Sequence, residues 1–266
     1  MEKREQGAAF LFDLRMTHKV VPGMPQESNP TSLNEAYQTQ EILVDQLLSR
    51  HGGKTVGYKV ACTNRSAQEL LKVDGPFYGC LLSATTYRYS DSPINLAANE
   101  FTLRAIEAEF TLEIGWDIPS RPERYSTAEI APFIKAVMPS IEIVHWRYEA
   151  FGPAGGLAIL ADNAIHGAHV IGEPVSAEWT GSELDQVPVR LFVNGELQEE
   201  GGSQNVMGSP FNVLAFLIEE LAGQGRMLKA GDLVTTGVTT DIYMAEAGDT
   251  VRADFDRFGQ VEVTFR

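Results

Sequence analysis

Short apolar runs separated by Gly, Asn and Pro dominate the chain from about residue 80 onward. Such runs are typical of β-strands, because strand side chains alternate between two faces and turn residues end each strand. Asn194-Gly195 between two apolar runs predicts a tight hairpin, and Phe258-Gly259 is expected to close another. The pattern predicts strands at 84–89, 105–115, 140–146, 157–161, 168–172, 188–193, 196–200 and 232–236, with two more near the end.

The first 80 residues show helical periodicity around one predicted strand. Ser32-Leu33-Asn34-Glu35 and Ser66-Ala67-Gln68-Glu69 each have the form of a capping box, in which a hydroxyl and a carboxylate satisfy the first N–H groups of a helix. The predicted elements are helices over 1–20, from 32 to Gly52-Gly53 and from 66 to Gly75-Pro76, and a strand over 55–61. Two further predicted helices, 127–138 and 210–222, interrupt the strand-rich part; Pro132 is unfavourable within the first.

These elements predict an α+β protein. A small α/β region over residues 1–80 would lead into a β-rich domain over residues 81–266 that carries the chemistry.

Composition excludes several classes of function. The chain has 266 residues and a net charge of −15, which disfavours binding to nucleic acid or to anionic membranes. Its two cysteines, Cys62 and Cys80, are too few for a disulfide framework and are expected to be buried thiols. The start has no signal-peptide pattern, and no apolar run reaches the roughly 18 residues of a membrane span. We therefore expect a cytoplasmic protein.

The most informative stretch is Ile106-Glu107-Ala108-Glu109-Phe110. On a strand, Glu107 and Glu109 point to one face and their apolar neighbours to the other. Glu142 lies in another apolar run, where a buried carboxylate is costly unless it is paired or ligates a metal. A lone Glu-x-Glu is usually a solvated face, so the pattern leaves both interpretations open. Our central hypothesis is that Glu107, Glu109 and Glu142 bind one hard divalent cation.

Other polar residues in apolar surroundings are weaker candidates. Lys59 follows Val56 and Tyr58 in a predicted strand, so its ammonium either reaches the surface or corrects the negative charge of a carboxylate site. The spacing of His166 and His169 predicts opposite faces of a strand and favours a structural role over ligation.

Two further segments place polar groups at strand ends. Asp162 and Asn163 follow an apolar run, either in a turn or lining a pocket. Thr236 precedes Gly237, which suits close approach to a ligand carboxylate.

Five segments occur together in one order, and together they resemble the 2-hydroxypenta-2,4-dienoate hydratase and 4-oxalocrotonate decarboxylase family, within the fumarylacetoacetate hydrolase-like superfamily. The resemblance covers roughly residues 30–266. It rests on Gly57-Tyr58-Lys59-Val60, Ile106-Glu107-Ala108-Glu109, Pro139-Ser140-Ile141-Glu142, Ala161-Asp162-Asn163-Ala164 and Gly231-Asp232-Leu233-Val234-Thr235-Thr236-Gly237.

The resemblance implies a mixed β-roll or sandwich fold and a site for Mg²⁺ or Mn²⁺, the hard ions that all-oxygen ligation also favours. It implies a small anionic 2-oxo acid substrate and a homo-oligomer, and it allows a complex with a pathway partner enzyme. Carried over by position, the metal ligands are Glu107, Glu109 and Glu142, the catalytic residues are Lys59 and Asp162, and the substrate-binding residues are Asn163, Thr236 and Tyr78.

The resemblance also implies the reaction. The leading expectation is a hydratase that adds water to a 2-hydroxydienoate, such as 2-hydroxypenta-2,4-dienoate, through an enolate in meta-cleavage aromatic degradation. The alternatives are a decarboxylase of 2-oxo-3-enedioates, an acylpyruvate C–C hydrolase and a catalytically silent partner subunit. Phe77 stands where many hydratases have aspartate, and Ser209 stands where both branches often have histidine.

Overall fold

The structure is a computed structural model that describes residues 2–90, 92–175 and 181–266. Its α-helices are α1 (Lys3–Thr17), α2 (Leu33–His51), α3 (Arg65–Leu71), α4 (Thr127–Ile130), α5 (Phe151–Ala154), α6 (Gly156–Ala161) and α7 (Pro210–Gly223). Its strands are β1 (Thr55–Ala61), β2 (Phe77–Leu82), β3 (Thr86–Arg88), β4 (Ile94–Leu96), β5 (Arg104–Ile114), β6 (Ile134–His145), β7 (His166–Ile171), β8 (Pro188–Val193), β9 (Glu196–Gly202), β10 (Leu233–Thr235), β11 (Tyr243–Met244), β12 (Thr250–Asp254) and β13 (Gln260–Phe265). Short 3₁₀ helices cover Ser83–Thr85, Ala98–Glu100, Ala131–Phe133, Asn163–Ile165, Gly181–Leu184, Ser203–Asn205 and Asp256–Phe258.

The strands form two mixed sheets, and this confirms the predicted α+β class. The larger sheet has the order β2-β1-β10-β5-β6-β7-β3, with β11 paired to β5. The smaller has the order β4-β13-β12-β8-β9. Aromatic side chains join them: the ring of Phe110 on β5 meets those of Phe255 and Phe258 edge-on, with centroids 4.9 Å and 5.8 Å away. These buried rings form part of the apolar contact between the two sheets.

The larger sheet crosses the predicted boundary at residue 80. β1 pairs in parallel with β10 and antiparallel with β2, so the first 80 residues supply two strands of the sheet that contains β5 and β6. Gly57 allows the parallel pairing: a Cβ there would lie 1.8 Å from the carbonyl oxygen of Leu233. The division into 1–80 and 81–266 stays a prediction.

Two predicted elements are wrong in type. The predicted helix 127–138 ends at Ile130, and β6 begins at Ile134, because Pro132 has no N–H for a helix and the residues that follow pair along β5. The predicted strand 157–161 is helix α6, in which all residues except Leu157 are buried. Periodicity cannot separate a short buried helix from a buried strand.

Two boundaries also differ. Ser32 caps α2 as predicted, but α3 begins at Arg65, because the side chain of Asn64 accepts a hydrogen bond from the N–H of Ala67. Residues 83–85 form a 3₁₀ turn, and only Thr86–Arg88 of the predicted strand 84–89 is a strand. The hairpin at Asn194-Gly195 and helix α7 are confirmed.

One described segment, Ser203–Gly223, is long and apolar enough to cross a membrane by length and composition. It contains α7, which buries Phe211, Leu214 and Leu217 among other residues in the core. A core helix of a folded domain has the same composition.

Candidate active site

Three carboxylates meet on one face of the β5–β6 pair. In this antiparallel register Glu107 lies opposite Glu142, and Glu109 lies opposite Ser140. One carboxylate oxygen from each glutamate lies within 4.8 Å of the others. Glu109 and Glu142 are fully buried and Glu107 is half-buried. The three glutamates singled out in the sequence are therefore brought together, away from bulk solvent.

Lys59 joins this cluster from β1. Its Nζ lies 3.1 Å from Oε2 of Glu142 and donates a hydrogen bond to the carbonyl oxygen of Ala164, also at 3.1 Å. Burial acts to lower the pKa of Lys59, but Glu142, Glu107 and Glu109 raise it above its ordinary value. The side chain is 2% exposed and holds its positive charge because the carboxylates surround it.

The carboxylates respond differently to this environment. Burial raises the pKa of Glu107 and of Glu109, and repulsion from Glu142 adds to the rise. Burial opposes ionisation of Glu142 as well, but Lys59 and His166 lower its pKa to about 2. One lysine therefore supplies too little positive charge to balance the three neighbouring carboxylates.

A divalent cation would correct this imbalance. Oε1 of Glu109 is buried without a hydrogen-bond partner, while its Oε2 accepts a hydrogen bond from the N–H of Gly237 at 2.9 Å. An unpaired carboxylate oxygen facing two other carboxylates is what a metal ligand offers. All-oxygen donors suit a hard ion such as Mg²⁺, Mn²⁺ or Ca²⁺. The residues present fit such an ion.

Two histidines support this face of the sheet. Nδ1 of His166 lies 2.8 Å from Oε1 of Glu142, and Nε2 of His169 lies 2.9 Å from Oγ1 of Thr111, two residues beyond Glu109 on β5. Burial lowers the pKa of both histidines. The predicted opposite facing is wrong, because the β6–β7 register shifts so that Glu142 pairs with His169 and Val144 with His166. Gly167, which accommodates this bulge, was the sequence signal for it.

A cavity of about 540 Å³ opens beside the cluster. Lys59 and Glu107 form part of its wall, and most of the remainder is apolar, including Leu71, Phe77 and Ile159. Exposed residues mark its mouth, on α3 and on the segment 240–244. A small acid with a polar head and an apolar tail fits the chemistry of this wall.

The family model described as fumarylacetoacetate (FAA) hydrolase C-terminal matches residues 62–266. The chain belongs to the fumarylacetoacetate hydrolase C-terminal family. The predicted resemblance and the predicted fold type are thereby confirmed.

Relatives within the family come from two branches. The 2-keto-4-pentenoate hydratase 1 of Dechloromonas aromatica is 30% identical over 233 residues, which are 87% of this chain and 85% of that protein. The 4-oxalocrotonate decarboxylase of Pseudomonas putida is 25% identical and covers 93% of this chain and 89% of its own. Among solved structures, 4-oxalocrotonate decarboxylase from Pseudomonas putida G7, complexed with magnesium and adipate, superposes with a TM-score of 0.90 at 22% identity, over 100% of this chain and 98% of that one.

Asp162, a catalytic residue by resemblance to the family, lies outside the cavity wall. Nε of Arg15 donates to its Oδ1 at 2.8 Å, and Arg147 donates to its Oδ2. Asp162 and Arg147 are completely buried. Asp162 therefore belongs to an ion-pair cluster that links α1 to the end of α6. It does not join the glutamate cluster.

Three other family-derived candidates also lie outside the cavity wall. Asn163 donates to and accepts from the backbone of Cys80, and thus clamps β2. The hydroxyl of Tyr78 donates to Gln224. Thr236 donates to the carbonyl oxygen of Phe110, while the next residue, Gly237, is the one that reaches the cavity. Their roles in substrate binding stay predictions.

The two departures from the family pattern have different positions. Phe77 lies in the cavity wall and is 1% exposed. Ser209 caps α7, where its Oγ accepts a hydrogen bond from the N–H of Phe211 at 3.3 Å. Cys62 and Cys80 are buried free thiols, as expected.

Proposed function

We propose that this protein is a divalent-metal-dependent lyase that hydrates a small 2-hydroxydienoate or 2-oxo-enoate, such as 2-hydroxypenta-2,4-dienoate. The observation that carries the proposal is the convergence of Glu107, Glu109, Glu142 and Lys59 at one end of an apolar cavity. Relatives named 2-keto-4-pentenoate hydratase support this reaction over others of the family.

Glu107, Glu109 and Glu142 would hold the ion, for which we propose Mg²⁺ or Mn²⁺. Related solved structures are complexed with magnesium, calcium or manganese. When bound, a divalent ion supplies Lewis-acid stabilisation of negative charge that develops on substrate oxygens. The three glutamates, Lys59 and such an ion together are neutral, so a monoanionic acid can approach without net repulsion.

Lys59 would act as a proton donor and electrostatic partner at the substrate's C2 oxygen. Its raised pKa keeps it protonated at neutral pH, which disfavours a role as general base. The carbonyl oxygen of Ala164 and Oε2 of Glu142 hold its ammonium in one position. His166 and Gly237 hold the carboxylates of Glu142 and Glu109 in the same way. These contacts fix the charges before substrate arrives.

A decarboxylase of 2-oxo-3-enedioates is the second candidate. The apolar side chain of Phe77 in the cavity wall favours it, because the resemblance places an aspartate there in many hydratases. We further propose that the substrate is a small anionic 2-oxo acid, that the enzyme is a cytoplasmic homo-oligomer in aromatic hydrocarbon catabolism, and that a pathway partner enzyme could bind it.

The reaction can be tested directly. The purified protein with Mg²⁺ is expected to consume 2-hydroxypenta-2,4-dienoate, seen as loss of its ultraviolet absorbance. Turnover of 2-oxohex-3-enedioate alone, with release of CO₂, would establish the decarboxylase instead. Turnover of neither would contradict both proposals.

Lys59 has a matched control. Lys59→Ala is expected to abolish turnover while the protein still binds Mn²⁺, because Lys59 is not a metal ligand. Lys54→Ala, at an exposed position just before β1, should retain both. Unchanged turnover in Lys59→Ala would refute the proposed role.

A further inference from the structure

The wall of the cavity is strongly asymmetric in charge. Among the described residues that line it, Lys59 is the one cationic side chain, and it is already paired with Glu142. The two anionic side chains in the wall are Glu107 at the cluster and Asp241, which is exposed at the mouth. A ligand that extends away from the cluster therefore meets no positive charge and one negative charge.

The remaining polar groups of the wall do not replace a cation. Thr63, Ser66 and Thr240 are neutral, and Oδ1 of Asn64 already caps α3. Arg65 adjoins this wall in sequence, but it is not part of the wall and its Nε donates to Glu69 at 2.9 Å. A second carboxylate in the cavity would lose water without gaining a counter-charge, which is costly.

The mouth is apolar as well. Leu70, Ile242 and Met244 line it and are 54%, 43% and 42% exposed. Large apolar side chains left in solvent around a pocket are typical of a binding site for an apolar group. The volume of about 540 Å³ falls in the range of pockets that enclose drug-sized ligands, about 300–1,000 Å³, so it exceeds the needs of a five-carbon acid.

We infer that the cavity selects 2-oxo or 2-hydroxydienoic acids with one carboxylate and an apolar tail, and that Asp241 with the apolar mouth excludes a second carboxylate at the tail. This inference rests on the proposed function, because the single carboxylate is placed at the glutamate cluster. It assigns Asp241 a role in specificity, and it counts against the decarboxylase candidate, whose 2-oxo-3-enedioate substrates carry a second carboxylate.

Two unreactive acids of equal length test the inference by binding alone. 2-Oxohexanoate ends in a methyl group and 2-oxoadipate ends in a carboxylate. In calorimetric titrations of the Mg²⁺-loaded protein at pH 7.5, we expect 2-oxohexanoate to bind at least about tenfold more tightly. Equal or tighter binding of 2-oxoadipate would overturn the inference. It would not affect the hydratase proposal, which is tested by consumption of 2-hydroxypenta-2,4-dienoate.

Charge substitution locates the cause of the preference. Asp241→Lys is expected to lower the ratio of the two Kd values (2-oxoadipate to 2-oxohexanoate) by about tenfold, because the lysine attracts the second carboxylate. Asp241→Asn should lower this ratio by less, because it only removes a repulsion. Asp45→Lys, at an exposed position on α2 outside the cavity wall, changes the net charge equally and should leave the preference unchanged. An equal response of Asp45→Lys and Asp241→Lys would refute the role of Asp241.

A failure of the proposed function would look different. In that case neither acid would bind the Mg²⁺-loaded protein, and 2-hydroxypenta-2,4-dienoate would not be consumed. That result would overturn both proposals, whereas binding of both acids with the dicarboxylate preferred would overturn only the selectivity.

Discussion

Glu107 and Glu142 lie directly opposite each other across the β5–β6 ladder. Like charges at such a position normally destabilise a sheet. Here the sheet is buried around them, so the repulsion is screened little by solvent. Lys59 compensates part of this negative charge, and a bound cation would compensate the rest.

Metal binding should therefore stabilise the protein. We expect Mg²⁺ at 100 times its Kd to raise the free energy of unfolding by about 2.7 kcal/mol, measured as a rise in Tm against an EDTA-treated sample. Glu109→Gln should abolish this rise and weaken Mn²⁺ binding by more than the about 10–100-fold typical for loss of a supporting partner.

For the metal-free protein, the expected effect of Glu109→Gln on stability is the opposite. Because burial and its neighbours raise the pKa of Glu109, a neutral glutamine should leave the metal-free protein at least as stable as the wild type. Glu113→Gln is the control, since Glu113 lies on the same strand but pairs with Lys135 at the surface. A lower metal-free Tm for Glu109→Gln would contradict the account of charge excess.

Asp162 can be tested as a structural anchor. Asp162→Asn leaves Arg15 and Arg147 without their buried counter-charge, and we expect a loss of about 3–5 kcal/mol in the free energy of unfolding. Urea denaturation measures this loss, with Asp45→Asn at an exposed position as the control. A catalytic role would instead show as lost turnover with unchanged stability.

His145 gives a pH prediction. Burial and the nearby Arg147 and Arg15 lower its pKa, and its Nε2 accepts a hydrogen bond from the N–H of Thr102 at 3.0 Å. The folded protein thus keeps His145 neutral, whereas the unfolded chain protonates it below a pH of about 6.5. Stability should fall with pH below that value, by up to about 1.4 kcal/mol per pH unit for this proton.

His145→Gln should remove the contribution of His145 to the pH dependence of the unfolding free energy, while the contributions of His166 and His169 remain. Urea midpoints at pH 7.5 and pH 5.5 would then differ less in the variant than in the wild type. Identical differences would show that His145 does not contribute.

Gly167 is predicted to be intolerant of a side chain. A Cβ at this position would lie 2.6 Å from the carbonyl oxygen of Ile143 and 2.8 Å from Cβ of His145. Gly167→Ala is expected to cost about 1–3 kcal/mol of stability and to lower turnover by displacing His166. Gly223→Ala, where the added Cβ meets no atom within 4 Å outside its chain neighbours and the backbone of its own helix, should retain turnover and be at least as stable as the wild type.

The sequence predicted the placement of side chains more accurately where it depends on a single strand. Glu107 and Glu109 follow from alternation, and Glu142 was suspect because its neighbours are apolar. Alternation failed for His166 and His169, because the bulge at Gly167 depends on pairing with β6. The predicted strand over 157–161 and the predicted helix over 134–138 were also wrong, because the secondary structure of both segments depends on the elements they pack against.

The contacts of the residues that were named from the family resemblance are the hardest to predict without the tertiary structure. Asp162 and Asn163 follow the same apolar run, yet one pairs with arginines and the other clamps the backbone of Cys80. Neither orientation can be read from local pattern, because each partner comes from a distant part of the chain.

The parallel pairing of β1 with β10 sets an order of assembly. These strands are far apart in the sequence, at Thr55–Ala61 and Leu233–Thr235, and β10 lies between β1 and β5, so Lys59 cannot take its position beside the glutamates until they pair. Contacts so distant in sequence form late, because the intervening loop must close first. During refolding from urea, catalytic activity should therefore return after most of the helical signal, and a nascent chain that does not yet include β10 is expected to be inactive.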